Sequence, residues 1–118
     1  MAKVLEDVPK ACAAHKFGVL GSIDLRAKLH EKGQDYPRAV VVFDVCNPVH
    51  AKRALEADPS VSTMLPCRIS AFELPGGGVR LACVRPTTMI GGLGVAALDV
   101  VAREVEQALD AILRDAAK

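Results

Sequence analysis

The residues with the most chemical promise are a pair of thiols and an imidazole. Cys46 opens the run Cys46-Asn47-Pro48, His50 follows four positions after that thiol, and Cys67 closes the run Leu65-Pro66-Cys67. A cysteine just ahead of a helix start feels unpaired N–H groups and the positive end of the helix dipole, and both favour the thiolate. The sharp reading is therefore a thiol site. Cys46 would be the activated thiolate and Cys67 its resolving partner, or the two would share a soft metal or haem iron. His50 could join them. A structural zinc site normally takes four protein ligands, however, and the chain offers no convincing fourth. The bland reading is that both cysteines are small buried residues and that Asn47 and Pro48 simply start a helix.

The other candidates are weaker. Cys12 lies on a helical repeat and reads as a small core residue, and Cys83 falls inside a predicted strand, where a packed side chain is the simplest role. His15 and His30 read as solvated residues near helix ends. No nucleophile elbow, no H-E-x-x-H and no singled-out carboxylate pair is present, so hydrolysis of the familiar kinds is unattractive. The loop RPTTMIGGLG, residues 85–94, has three glycines ahead of a helix. It lacks a Walker lysine and follows a hairpin, which favours flexible linkage over anion binding.

The positioning elements follow from the pattern of side chains. Val40, Val41, Val42, Phe43 and Val45 form a nearly continuous β-branched and aromatic run, which predicts a strand covered on at least one face. Pro48 lacks an N–H and suits the first helical position, with Asn47 as N-cap. This predicts a helix over 48–57, with Val49, Ala51, Ala54 and Leu55 as a small apolar face and Lys52, Arg53 and Glu56 in water; Asp58 and Pro59 end it. Ahead of this unit, Val4, Leu5, Val8, Ala11 and Cys12 recur at helical spacing up to about Lys16. Pro9 fits such a helix in its first turn, with Asp7 near the cap, or else at a kink. Phe17, Val19, Gly21, Ile23 and Leu25 alternate and predict a half-buried strand with those residues on one face. Asp24 then caps a short helix over 25–32 with Leu25 and Leu29 toward the core, stopped by Gly33.

After Pro59, Val61, Met64 and Leu65 are apolar enough to pack under something, and a cis bond before Pro66 is the minority form. When extended, the residues from 58 to 66 reach up to ~30 Å. That reach can bring Cys67 back beside the strand end that carries Cys46. Residues 67–74 and 79–85 read as a hairpin about the turn PGGG. From 95 to 116, Leu98, Val101, Val105, Leu109 and Ile112 step by three and four, the best helical stripe in the chain. The expected fold is α+β: a small, mostly antiparallel four-stranded sheet with helices packed on one face and a long C-terminal helix.

Composition bounds the function. The 118 residues suit a single domain spanning 1–118, and their net charge of +1 shows no clustering, so no footprint for nucleic acid or an anionic membrane is expected. Phe17, Phe43, Phe72 and Tyr36 are the only aromatics and there is no tryptophan, which also argues against base stacking. No run is long and apolar enough to span a bilayer, and the start MAKVLEDVPK lacks the hydrophobic stretch of a signal peptide. A cytoplasmic chain with reduced thiols is the expectation.

FGVLGSIDL, VCNPVHAKRALEADP and MLPCRI, followed by a long C-terminal helix, resemble the bacterial and archaeal family catalogued as domain of unknown function 302. The resemblance covers nearly the whole chain. It implies a small α+β fold often found as a homodimer, and no established activity. Only Cys46, Asn47, Pro48, Pro66 and Cys67 carry over as candidate site residues. Members usually have a strand before the first helix, and here Met1 leads almost directly into that helix; an open sheet edge would invite a second chain. Two classes of function follow. One is a thiol site handling redox, sulfur, a soft metal or haem; the other is a noncatalytic, dimeric ligand-binding or assembly module whose cysteines are structural.

Overall fold

The computed structural model describes residues 1–90 and 93–117. Four strands, β1 (Gly18–Asp24), β2 (Val40–Cys46), β3 (Cys67–Glu73) and β4 (Val79–Ala82), pair antiparallel in chain order β1-β2-β3-β4. Helices α1 (Ala2–Ala14), α2 (Leu25–Glu31), α3 (Pro48–Ala57), α4 (Pro86–Ile90) and α5 (Ala96–Ala116) complete the chain, with a 3-10 helix at Pro59–Met64. The expected α+β class, sheet and long last helix are all present.

The core is built on one sheet face. On β2 the side chains of Val41, Phe43 and Val45 are buried, and on β3 those of Cys67, Ile69 and Ala71, the cross-strand partners being Val41 with Ala71, Phe43 with Ile69 and Val45 with Cys67. These join one cluster with Leu98, Val101, Val105, Leu109 and Ile112 of α5, all buried as the stripe predicts. Val40, Val42 and Asp44, pointing the other way, are only half-buried, as alternation on a one-sided sheet requires, and Cys46 at the strand's end is half-buried too.

The N-terminal third departs from expectation. Pro9 lies inside α1 rather than in its first turn, and Met1 rather than Asp7 sits at the cap. The ring removes one helical hydrogen bond, but the helix still buries Val8, Ala11 and Cys12, which outweighs the loss. Lys16 adopts a left-handed φ of +64°. The Phe17 N–H then donates to the Cys12 carbonyl, closing the helix end.

β1 does not keep the simple alternation. Its register against β2 shifts between Val19 and Gly21, so Leu20 is a bulge. Val19 faces Val45 on the buried side, but Ser22 then faces Phe43, and Ile23 faces Val42 on the open side. One extra residue inverts the faces of everything after it. Every residue of β1 is exposed, not half-buried, and Leu25 and Leu29 of α2 are exposed as well. Asp24 does cap α2, accepting from the Ala27 N–H, and Gly33 has the expected left-handed φ of +76°.

Three later differences concern the site. Val49 and Leu55 are exposed, so only Ala54 of the proposed α3 face is buried. Strand β4 stops at Ala82, leaving the half-buried Cys83 beyond it. Residues 86–90, read as loop, form α4, whose Thr87 donates its hydroxyl and backbone N–H to Glu106 on α5. Of the glycines in that loop, Gly94 has a φ of +68°, while Gly91 and Gly92 lie outside the described residues.

Candidate functional site

Cys46 is the last residue of β2, and the chain turns at once into α3. Asn47 makes that turn. Its Oδ1 accepts from the backbone N–H groups of both Val49 and His50, at 3.0 and 3.1 Å, and its carbonyl accepts from the Ala51 N–H at 2.9 Å. Pro48 has no N–H to give. The N–H groups of Val49 and His50, which a helix start would otherwise leave free, are therefore taken by the Asn47 side chain and are not available to a thiolate at Cys46.

The thiols respond accordingly. Burial pushes the Cys46 thiol up from its ordinary value, opposite to the direction a helix start imposes. Cys67, beside Val45 on the next strand, is pushed up to about 11, first by burial and then by its neighbours Cys46 and Cys83. Cys83 is raised by burial and by the carboxylates of Asp110 and Glu106, against an opposing pull from Arg85. Cys12 is raised by burial alone. All four cysteines are free thiols.

His50, in the first turn of α3, carries the most telling geometry. Its ring lies 6.4 Å from that of Phe17, tilted by 51°. Nε2 faces the Glu104 carboxylate of α5 at 3.4 Å, and Arg53, one helical turn on, donates to the same carboxylate oxygen. Nδ1 is buried and has no hydrogen-bond partner among the described residues. That is unusual, because buried polar atoms are overwhelmingly paired.

Cys46, Asn47, His50 and Cys67 line one cleft together with Phe17, Leu65, Pro86 and Val105, among others. It encloses about 380 Å³ of atom-free space, the open solvent at its mouth included. A haem does not fit a space that small. Among the described residues no three His, Cys, Asp or Glu side chains are grouped so as to hold a metal ion. The structure thus unites Cys46, Asn47, His50 and Cys67, while Pro48 and Pro66 lie outside this lining. Pro66 follows a cis bond and lines a separate cleft with Thr63, Arg68 and Met89.

Glu104, Phe17 and Pro86 were not singled out by sequence reasoning. Glu104 lies 51 residues along the chain from Arg53, and no local pattern links them. Pro86 did carry a signal: a proline after a polar residue is a good first helical position, which marks α4 and hence a wall of the cleft.

No helix among the described residues is long and apolar enough to cross a membrane. No curated protein matches the chain. A crystal structure of an uncharacterized conserved protein DUF302 from Bacillus stearothermophilus is similar at 30% identity and a TM-score of 0.92, covering 100% of this chain and 91% of that one. The family described as "Domain of unknown function DUF302" matches residues 1–116. With that match running from the first residue to the end of α5, the chain belongs to the DUF302 family.

Proposed function

We propose that this protein is a noncatalytic ligand-binding module, with the cleft between α3, α4, α5 and the end of β2 as its binding site. The apolar lining that Phe17, Val45, Leu65, Ile90, Val101 and Val105 share beside Asn47 and His50 carries the reading. A mostly apolar recess edged by a few polar groups is the usual form of a small-molecule site. Thiols raised by burial, half-buried at Cys46 and buried at Cys67, suit walls better than nucleophiles. Reduced cysteines also fit a cytoplasmic setting. Diethyl ether, a slender apolar probe, tests the site by nuclear magnetic resonance. Saturable shifts at the methyl groups of Val45, Val101 and Val105, with none at the exposed Val49 and Val84, are expected. A titration without saturable shifts at the cleft would remove the reading.

A thiol site remains the second reading, supported by the shared lining of Cys46 and Cys67 and by the influence of one on the other's ionisation. It requires Cys46 to be alkylated faster than Cys12 or Cys83 in the folded protein, and to be protected by a soft metal. As for partners, a homodimer is supported by the exposed apolar residues Val19, Leu20 and Ile23 on a strand with a free edge.

A further inference from the structure

We infer that the groove between the end of β4 and α5 binds a free α-amino acid with an apolar side chain, its carboxylate on Arg85 and its ammonium on Glu106. Cys83 and Arg85, just past β4, line one side of this groove, and residues of α5 from Glu106 to Arg114 line the other. Its volume is about 400 Å³, within the ~300–1,000 Å³ typical of small-molecule pockets. It shares only Pro86 with the cleft at Cys46, so the two sites stand or fall separately.

The charges of the groove are unevenly satisfied. Glu106 is fixed in place: its Oε1 accepts the Thr87 hydroxyl at 2.6 Å and the Thr87 N–H at 3.2 Å, while Oε2 has no hydrogen-bond partner among the described residues. The Thr87 hydroxyl, helped by the Thr87 N–H and by Arg85, holds this carboxyl below its ordinary value, so it is ionised at neutral pH. Arg85 is exposed and acts through space on both Glu106 and Cys83. Its guanidinium forms neither an ion pair nor a hydrogen bond with any described residue. A gap therefore separates it from Glu106, and its fork of N–H groups is open to a carboxylate. Asp110 and Arg114 close on each other at 3.1 Å, which cancels their charges locally.

A ligand of one sign gains at one of these groups and loses at the other. An anion on Arg85 would face Glu106, and a cation on Glu106 would face Arg85. A molecule that carries both charges on one short head bridges the gap and gains at each end. The rest of the groove asks for an apolar body. Leu109, 1% exposed, joins Leu113 and Pro86 as a wall that an aliphatic side chain would cover. A metal ion does not suit the place: Cys83, Glu106 and Asp110 share the lining, but among the described residues no three such side chains are grouped to hold one.

Three molecules with a similar branched body separate these features: L-leucine, isocaproate, which lacks the ammonium, and isoamylamine, which lacks the carboxylate. Each is titrated into protein carrying ¹³C-labelled leucine methyls and ¹⁵N-labelled arginine. Leucine should give saturable shifts at Leu109, Leu113 and the Arg85 Nε–H, with none at the exposed Leu20. It should bind about tenfold more tightly than either analogue, the margin of one charge-assisted hydrogen bond. Arg85→Gln should weaken leucine by a similar factor and leave isoamylamine no weaker. Glu106→Gln keeps an oxygen for Thr87 and should weaken leucine while tightening isocaproate. Isocaproate or isoamylamine binding the parent protein as tightly as leucine would overturn the inference in favour of a site for one charge. Glycine binding as tightly as leucine would refute the apolar side chain, and no saturable shift at Leu109 and Leu113 with leucine would refute the groove itself. Should either variant fail to fold, the comparison of ligands on the parent protein decides alone.

Discussion

Asn47 governs what the start of α3 can do for Cys46, since its side chain and carbonyl take the N–H groups of Val49, His50 and Ala51. Asn47→Ala should cost about 1 kcal/mol of stability, the usual value of an N-cap. It should also speed alkylation of Cys46 near neutral pH, because the released donors become available to a thiolate, while Cys67 stays unchanged. Mass mapping after brief alkylation checks this; an unaltered Cys46 rate would mean that burial alone sets its reactivity. Cys67 yields a prediction about pH. Its thiol titrates at about 11 in the fold against an ordinary 9.0, so the folded state holds its proton more tightly than the unfolded chain. Its contribution is full below pH 9 and fades as pH rises from 9 to 11, by about 2–3 kcal/mol. Denaturant titrations across that range should show a shallower decline for Cys67→Ala than for the parent.

Among the elements, α5 matters most to the core, and its two faces should behave differently. Leu109 is 1% exposed and Val100 is 48% exposed. Leu109→Ala should cost about 2–5 kcal/mol by cavity formation, and Val100→Ala no more than about 0.5 kcal/mol. Comparable thermal melts for the two variants would mean that the stripe is not the packed face. This helix was legible because its period held over 21 residues; α3 was legible from Asn47 and Pro48 alone, a cap and a first-turn proline. The β1 faces were not legible, because a bulge leaves no composition mark and inverts the alternation from which faces are read. Nor was α4 legible from periodicity, five residues being too few, and only Pro86 marks its start. The site was half legible for the same reason. The local signals at Cys46, Asn47, His50 and Cys67 pick out residues that line one cleft, while the contact of Glu104 with His50 exists only once α5 has been laid against α3.

For the whole molecule, shape is informative. The radius of gyration is 15.2 Å and the extents are 42 × 32 × 22 Å, whereas a compact chain of this length has a radius of about 13.5 Å. The excess is consistent with β1 and α2, which contribute no buried residue. A second copy covering that end would bury Val19, Leu20, Ile23, Leu25 and Leu29 together. Light scattering at high micromolar concentration should give twice the chain mass, and Leu20→Lys with Ile23→Lys should return it to one. A parent protein of single-chain mass at that concentration would end the dimer reading.

The order of synthesis gives α5 a further importance. The strands form a meander in chain order, so each can pair with the one before it as soon as it emerges from the ribosome. The helix that joins Ile69, Phe43 and Val45 in the core is made after all of them. Between the emergence of β4 and that of α5, a few seconds at ordinary rates of synthesis, the nascent sheet presents an apolar face with its largest cover still missing. Chaperone capture of stalled chains should therefore peak for those arrested after β4 and fall sharply once α5 has cleared the exit tunnel.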